Sequence, residues 1–225
     1  MISGFRIMRP KCKVPPETVE RFRPVPVANI SDAMSRLSGT SRLRPMHRGG
    51  WLGGPALTVK APPGDNLMVH KAIDIAQPGD VIVVDSGGEI SHATIGEIMV
   101  TLAQQKKIAG FVIDGAIRDS AAIRTGTFPV FAAGVSHRGP YKNGPGEINC
   151  TVSVDGMVVE AGDLIVADDD GVLCIPLAQI DAVLHKAITT NEAEDRMLAA
   201  ARDGTLDRSW IDEKLKSAGC AVEEG

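Results

Sequence analysis

The sequence predicts an α/β protein, in which short buried strands alternate with helices before the chain changes to antiparallel strands. Between residues 56 and 133, strand-like and helix-like segments follow one another in turn. Val81–Asp85 is a continuous run dominated by β-branched residues, which is typical of a strand buried on both faces. Such alternation favours parallel strands joined by helices. The length of 225 residues suits one large domain with an appendage.

The part of the chain before this alternation is predicted to hold little regular structure. Residues 1–16 are interpreted as an irregular arm. Ser31–Leu37 is predicted to be a short helix, with its first residue as the N-cap and Gly39 as its stop. Residues 40–54 are rich in arginine and glycine, so they are predicted to be a loop.

The alternating part is divided into elements by proline and glycine residues, which interrupt both helices and strands. In chain order, the predicted elements are the strand Ala56–Lys60, the helix Leu67–Ala76, the strand Val81–Asp85, the helix Ile95–Lys107, the strand Gly110–Asp114, the short helix Ser120–Arg124 and a strand around Val130-Phe131.

The next part of the chain is predicted to be antiparallel. Asn149–Val154 and Met157–Glu160 flank Asp155-Gly156, which is a strong hairpin signal. Leu164–Ala167 and Val172–Ile175 form a second strand pair around an aspartate-rich turn.

A final helix is predicted over roughly Leu177–Ala201, followed by a polar tail. We therefore expect two domains, an α/β domain over residues 1–176 and a helical extension over residues 177–225.

Composition narrows the class of partner. Lysine and arginine total 24 against 28 acidic residues, and aromatic residues make up 4% of the chain, so no nucleic-acid partner is expected. No segment approaches the run of about 20 apolar residues that a membrane helix requires, so no membrane partner is expected.

The four cysteines are scattered without a Cys-x-x-Cys pair, and basic residues interrupt the N-terminus where a secretory signal would be apolar. These features indicate a cytoplasmic protein.

The pair Arg118-Asp119 is the most informative candidate site, because it follows a buried strand at the edge where α/β sheets bind ligands. Arginine grips carboxylates with two hydrogen bonds, and aspartate is a hard oxygen ligand for Mg²⁺ or Mn²⁺. The pair would therefore hold an anionic substrate beside a metal. The alternatives are a surface ion pair or a helix N-cap provided by Asp119.

A second candidate is the glycine-flanked segment Gly87–Met99, which leads into a helix. Free amides at a helix N-terminus bind carboxylates, and Gly96 would let a ligand approach the backbone. The alternative is that Gly96 is a packing glycine and that Glu97 is an acid favoured by the helix dipole.

Other polar groups are weaker candidates. His137 is interpreted as a hydrogen-bonding loop residue in preference to a nucleophile or ligand, and Asp168–Asp170 as turn residues in preference to metal ligands. Asp65 and Asn66 follow a Pro-Pro-Gly turn and are interpreted mainly as turn residues, with a role in a cleft left open.

Four segments together resemble the RraA-like family, which contains class II pyruvate aldolases and regulators of RNase E. The segments are Gly64–His70, Gly96–Met99, Val112–Asp119 and Gly162–Val172, and they occur in the family's order. The spacing from the glycine to the Arg-Asp pair is the specific element. The resemblance implies a swivelling α/β/β/α sandwich with mixed sheets and a C-terminal helical extension. It also implies homotrimers or dimers of trimers, with sites between subunits.

The resemblance also implies residue roles. Asp119 resembles the aspartate that carries the divalent metal, with Mg²⁺ favoured over Mn²⁺, largely through water. Arg118 resembles the arginine that binds the 2-keto acid, beside Gly96. The amides of Ile98 and Met99 resemble those that hold the pyruvyl carboxylate. Glu97 matches an acidic position of the site.

One departure concerns Ala122, which stands where family aldolases often carry an acid. The aldolases also take a glutamate from the C-terminal helix of a neighbouring subunit, and Glu192 or Glu194 lies in the matching region. The extension over residues 177–225 would pack on that neighbour. Its presence favours an aldolase that cleaves 4-hydroxy-2-oxo acids to pyruvate, with oxaloacetate decarboxylation through the same enolate. The alternative is a non-catalytic regulator that binds a protein such as RNase E.

Overall fold

The computed structural model describes residues 4–9 and 12–221, and the chain divides into two compact units, Met1–Ile188 and Thr189–Gly225. In chain order, the strands of the described residues are β1 (Phe5–Ile7), β2 (Arg44–Pro45), β3 (Leu52–Lys60), β4 (Val81–Ile95), β5 (Gly110–Ile117), β6 (Val130–Val135), β7 (Gly146–Ile148), β8 (Val152–Val154), β9 (Met157–Val159), β10 (Leu164–Asp168) and β11 (Gly171–Ile175). The helices are α1 (Pro16–Phe22), α2 (Val27–Ala33), α3 (Leu67–Ile75), α4 (Glu97–Gln105), α5 (Ser120–Thr125), α6 (Ile180–Arg202) and α7 (Ser209–Ser217).

The main sheet is built on four parallel strands in the order β3-β4-β5-β6. β7 pairs with the other edge of β3, and β2 pairs antiparallel with β6. β10 pairs antiparallel with the first part of β3 over Leu52–Pro55, while the rest of β3 pairs with β4. β3 is therefore shared between the main sheet and the β10–β11 hairpin. The predicted parallel part and the predicted antiparallel part are both confirmed.

Three apolar cores separate four layers of the first unit. One core lies between the main sheet and helices α3, α4 and α5. A second lies between the opposite face of that sheet and the hairpins β8–β9 and β10–β11. A third lies between the other face of β10–β11 and the helices α1, α2 and the start of α6. The layers follow the order α/β/β/α, which confirms the predicted sandwich.

Helix α2 is displaced from the prediction. It runs over Val27–Ala33, whereas the sequence predicted a helix over Ser31–Leu37. Its N-terminus follows Pro26, and the Val27 amide donates a hydrogen bond of 3.0 Å to Asp168 Oδ2. The cap is thus a side chain distant in sequence. Ser35 and the residue after it adopt left-handed φ angles of 63° and 60°, which end the helix.

Three further predictions need correction. The segment 1–16, predicted as an irregular arm, contains β1, which pairs with β7, and ends where α1 begins. The segment 40–54, predicted as loop, contains β2 and the beginning of β3. The polar tail, for which no element was predicted, contains the short helix α7 after the long helix α6. No helix among residues 4–9 and 12–221 combines the length and apolar character needed to cross a membrane.

Strand β4 is longer than predicted and determines where the next helix begins. It starts at Val81 as expected but continues to Ile95, with register shifts against β5 after Asp85. Helix α4 consequently begins at Glu97, two residues later than predicted. Gly96 is the single residue between strand and helix.

Candidate active site

A cavity of about 170 Å³ lies at the carboxyl ends of β4 and β5, where ligand sites of α/β sheets are expected. Five segments meet there: the beginning of α3, the end of β4, the first turn of α4, the residues after β5 and a later loop. The lining residues are Asn66, His70, Thr94, Ile95, Gly96, Ile98, Met99, Arg118, Asp119, Pro140 and Lys142. The cavity therefore brings the two strongest sequence candidates together.

Gly96 allows the two candidates to meet. A Cβ atom at this position would lie 2.5 Å from Asp119 Oδ2 and 2.9 Å from Arg118 Cγ. The backbone of Gly96 is extended, with φ −150°, so the space and not the backbone angle requires glycine. Gly96 is thus a close-approach position for two side chains of the cavity, and the approach of a ligand to its backbone stays a prediction.

Asp119 stands against the N-terminus of α4. Its Oδ2 atom accepts a 3.0 Å hydrogen bond from the Glu97 amide, so the carboxylate is stabilised by a free helix N–H and by the helix dipole. Its backbone is left-handed, with φ 55°, which aspartate tolerates better than most residues. Asp119 thus caps α4, which is distant in sequence, with its side chain, although it immediately precedes α5.

Arg118 is held by the backbone and leaves its guanidinium facing the cavity. Its amide donates a 2.9 Å hydrogen bond to the Ile95 carbonyl. Its Nε lies 3.7 Å from Asp119 Oδ2, which is a long ion pair between two partly exposed side chains. A contact so long and exposed stabilises the fold little, and it leaves most guanidinium donors available to a ligand.

The first turn of α4 offers one of the two predicted amides. The Met99 amide donates to the Gly96 carbonyl at 3.0 Å, so it already has a partner. The Ile98 amide has no protein acceptor within the described part of the chain, and its side chain is 71% exposed. The structure therefore favours Ile98 over Met99 as the donor to a bound carboxylate.

Asn66 lines the cavity, whereas the sequence favoured a turn residue and left a role in a cleft open. It is buried, and its Nδ2 donates to the Thr94 carbonyl at 2.9 Å. This bond fixes the amide orientation, and Oδ1 has no partner among the described residues. A buried unpaired acceptor beside a cavity is costly unless a ligand or water donates to it.

His70 and Lys142 line the cavity and were missed as site residues. His70 lies in the first turn of α3, and its amide donates a 3.1 Å hydrogen bond to the carbonyl of Asn66, the residue before the helix. Burial lowers the pKa of His70, the Lys142 ammonium lowers it further, and Asp74 opposes both. The imidazole is therefore mainly neutral at pH 7. No sequence signal marks Lys142, because its loop is brought to the cavity by tertiary contacts.

The remaining candidates are not among the residues that line the cavity. Glu97 contributes its amide to Asp119, and its side chain is exposed. Glu192 and Glu194 belong to the C-terminal unit, and their role stays a prediction. Asp168 accepts amides at the start of α2 and within its own turn, so its interpretation as a turn residue is confirmed.

The donor set for a metal is small. No group of three or more histidine, cysteine or acidic side chains within the described chain could enclose an ion. Among the described residues that line the cavity, Asp119 is the only acid. One carboxylate is consistent with Mg²⁺, which keeps several of its waters, and not with a cage made of protein ligands.

Comparison with known proteins points to one family. A family model described as RraA-like: Aldolase/RraA matches residues 27–174. A relative from Halalkalibacterium halodurans, named "Putative 4-hydroxy-4-methyl-2-oxoglutarate aldolase", is 42% identical over 199 residues, which cover 88% of this chain and 95% of that protein. The 4-hydroxy-4-methyl-2-oxoglutarate aldolase of Thermus thermophilus is 34% identical over 112 residues, covering 50% of this chain and 68% of that protein.

The fold has a matching crystal structure. Streptomyces coelicolor RraAS2, described as an unusual member of the RNase ES inhibitor RraA protein family, superimposes with a TM-score of 0.74 at 26% identity. The match covers 83% of this chain and 98% of that one. The four-layered fold, the Arg118-Asp119 pair against Gly96 and the family match over most of the first unit lead to one conclusion: the chain belongs to the RraA-like family.

Proposed function

We propose that this protein is a divalent-metal-dependent class II pyruvate aldolase, which cleaves 4-hydroxy-2-oxo acids to pyruvate and decarboxylates oxaloacetate as a side activity. The observation that carries the proposal is the cavity itself, where Arg118 and Asp119 meet the N-terminus of α4. The names of the two aldolase relatives support the same reaction class.

The 2-oxo acid end of the substrate would bind near Arg118. The guanidinium would contact the carboxylate and the 2-keto oxygen through its free donors. The Ile98 amide would donate to the carboxylate at the positive end of the α4 dipole. A 2-oxo acid places these two oxygens side by side, which suits one planar donor and one adjacent amide.

The remaining polar residues of the cavity support a second carboxylate on the substrate. Lys142 supplies a cation there, and the neutral His70 ring can donate a hydrogen bond. The unpaired Oδ1 of Asn66 would accept from the C4 hydroxyl. We therefore propose a 4-hydroxy-2-oxo diacid as the substrate class.

Asp119 would hold the metal, with water as its remaining ligands. The chemistry that a bound ion would supply is Lewis acidity toward the 2-oxo acid. Gly96 makes room for Asp119 Oδ2 itself, which accepts the Glu97 amide, and the Glu97 side chain adds an exposed carboxylate. Asp119 therefore has one oxygen on the α4 amide and a second, Oδ1, to offer to a cation.

Cleavage requires that a proton leaves the C4 hydroxyl while the C3–C4 bond breaks. The C4 oxygen becomes a carbonyl, and the electron pair of the broken bond forms the enolate of pyruvate. Arg118 stabilises the negative charge that develops on the C2 oxygen. Protonation of the enolate at C3 gives pyruvate. Glu97, Glu192 and Glu194 are the candidates for assisting the C4 proton.

The proposal is tested by following pyruvate release from 4-hydroxy-4-methyl-2-oxoglutarate and from oxaloacetate with Mg²⁺, with Mn²⁺ and with a chelator. We expect pyruvate from both substrates, loss of turnover with chelator, and loss in Asp119→Ala. The circular dichroism spectrum of that variant should match the wild type. Full activity with chelator would reject the metal, and no pyruvate under any condition would reject the aldolase.

A non-catalytic regulator of an RNase is the second candidate. The similarity to RraAS2, which belongs to an RNase inhibitor family, favours it. A net charge of −4 suits a basic protein partner. The assay above separates the two functions, because a regulator would release no pyruvate.

A further inference from the structure

The loop that carries Lys142 closes one side of the cavity, and it is fixed at several points. Near its beginning, the Ser136 amide donates to the Ile117 carbonyl at 2.9 Å, and the Ala93 amide donates to the Arg138 carbonyl at 2.8 Å. Near Lys142, the Tyr141 amide donates to the Gly64 carbonyl at 2.8 Å. The Tyr141 carbonyl then accepts from the Asn66 amide at 3.0 Å.

Asp65 fixes the far end of this loop. It is 5% exposed, and its Oδ2 accepts the amides of Asn143 at 2.6 Å and Gly144 at 3.0 Å. Its Oδ1 accepts the Leu67 amide at 2.9 Å, at the beginning of α3. One buried carboxylate thus joins the helix that carries His70 to the loop that carries Lys142.

This arrangement exceeds what a turn requires. A turn at this position needs only the hydrogen bond from the Leu67 amide, which a serine or threonine side chain can also accept. The two bonds to residues 143 and 144 cross to a segment 78 and 79 positions away. They lie immediately after Lys142, so they determine where its side chain starts. Asp65 does not line the cavity, so it does not touch the substrate.

We infer that Asp65 is a positioning residue, which holds Lys142 against the substrate cavity. The inference rests on the proposed function, since Lys142 is there assigned to the second carboxylate. An asparagine at this position has one acceptor oxygen and would turn its NH₂ group toward either Leu67 or the loop amides. A serine would keep the Leu67 bond but would be too short to reach the loop.

The test compares Asp65→Asn and Asp65→Ser with Asp181→Asn, a control carboxylate that is 92% exposed. Two activities are measured: cleavage of 4-hydroxy-4-methyl-2-oxoglutarate, and exchange of the pyruvate methyl protons in D₂O. The exchange uses only the 2-oxo acid end of the cavity. We expect the KM for cleavage to rise about tenfold in both Asp65 variants, with exchange within about twofold of wild type.

A double-variant cycle shows whether Asp65 acts through the lysine. Lys142→Met alone should raise the same KM, and Asp65→Asn added to it should have little further effect, because coupled residues are non-additive. Additive losses, or equal losses of cleavage and exchange, would overturn the inference. Cleavage at wild-type KM in both Asp65 variants would also overturn it.

A measurement without catalysis keeps the inference separate from the proposed function. Trypsin binds an extended backbone around the bond it cuts, and the bonds from Asp65 to the Asn143 and Gly144 amides hold the backbone after Lys142. The Asp65 variants should therefore be cut after Lys142 about tenfold faster than wild type and Asp181→Asn. Unchanged cutting would overturn the inference even if the enzyme is active. A wild type that neither cleaves nor exchanges would reject the aldolase, and the trypsin result would then decide the loop contact alone. If neither Asp65 variant folds, Asp65 is a residue of the fold and the inference is overturned.

Discussion

Gly96 controls the geometry of the cavity at the scale of single atoms. The space that a Cβ would need is occupied by Asp119 Oδ2 and by the stem of Arg118. Both are ends or stems of side chains that are partly exposed, so they can move without disrupting a core. A substitution at Gly96 should therefore disturb the site and leave the fold intact.

We expect Gly96→Ala to lower kcat/KM for cleavage by about 100-fold, because a shift of roughly 1 Å in a catalytic group has effects of that size. The unfolding midpoint should change little. Gly126→Ala is the matched control, since its Cβ would meet its nearest atom, the Ile123 carbonyl oxygen, at an ordinary 3.5 Å. Steady-state kinetics and thermal unfolding of both variants check the prediction. Retention of wild-type kcat/KM in Gly96→Ala would contradict it.

The residues of the site differ in how far the sequence could reveal them. Arg118 and Asp119 follow a buried strand, and the chemistry of their side chains indicates anion and metal binding. The sequence indicated a cleft role for Asn66, but it could not show that Oδ1 has no partner. The orientation of this amide is set by the bond from Nδ2 to the Thr94 carbonyl, which only the fold brings near. Lys142 was invisible, since a lysine on a loop carries no signal until the contacts with Asp65 place it.

At the scale of elements, the strands of the main sheet and the helices between them can be predicted from local sequence pattern. The β-branched run that begins at Val81 predicts strand β4, and the Asp155-Gly156 turn predicts the β8–β9 hairpin, because burial and turn chemistry are local signals. Helix α2 was misplaced because its N-terminal amide is capped by Asp168, 141 residues away. Element boundaries set by distant partners cannot be read from neighbouring residues.

The β8–β9 hairpin is attached to the main sheet by such a distant contact. Arg42 donates from Nε to Asp155 Oδ1 at 2.6 Å and from Nη2 to Asp114 Oδ1 at 2.9 Å. The Asp155 side chain is 8% exposed. Burial alone would raise the pKa of Asp155, but hydrogen bonds from Arg42 and Ser41 outweigh it and lower the pKa to about 2. The ionised carboxylate therefore holds the turn in place.

This pKa predicts a loss of stability in acid. Because the native pKa of about 2 lies below the ordinary 3.8, the unfolded chain binds more protons. The contribution of Asp155 is complete above pH 3.8 and is lost as the pH falls toward 2. We expect Asp155→Asn to lower the free energy of unfolding by about 1 kcal/mol at pH 7, a value reduced because Arg42 is half exposed.

Urea unfolding of Asp155→Asn and wild type at pH 7, 5 and 3 measures this effect. The difference between the two proteins should shrink at pH 3 relative to pH 7. Asparagine tolerates the left-handed backbone of this position, so backbone strain should not contribute to the difference in unfolding free energy. A difference that stays constant with pH would show that the charge of Asp155 contributes nothing.

At the scale of the whole molecule, the layering follows from which faces are apolar. The main sheet is apolar on both faces, so it requires helices on one side and the antiparallel hairpins on the other. The hairpin β10–β11 is likewise apolar on both faces and requires a helical layer of its own. The boundary between the two compact units falls within α6, after Ile188.

The C-terminal unit carries Glu192 and Glu194, which we propose assist the C4 proton from a neighbouring subunit of a trimer or dimer of trimers. Aldol cleavage needs this proton to leave, whereas decarboxylation of oxaloacetate expels CO₂ without it. General-base assistance is worth about 100-fold or more, so the two activities should separate in Glu192→Gln and Glu194→Gln. We expect one of these variants, made in the full chain, to lose cleavage by about that factor while decarboxylation changes little.

The comparison requires that the assembly persists, so size-exclusion chromatography of each variant accompanies both rate measurements. Truncation after Ile188 provides the extreme case, in which the whole C-terminal unit is removed. If the unit supplies the base, the truncated chain should retain decarboxylation and lose cleavage, provided that its size in solution is that of the same oligomer. Equal loss of the two activities would assign the unit to assembly or to metal retention. Unchanged cleavage would mean that residues 1–188 contain the complete site and that the base is Glu97 or a water beside Asp119.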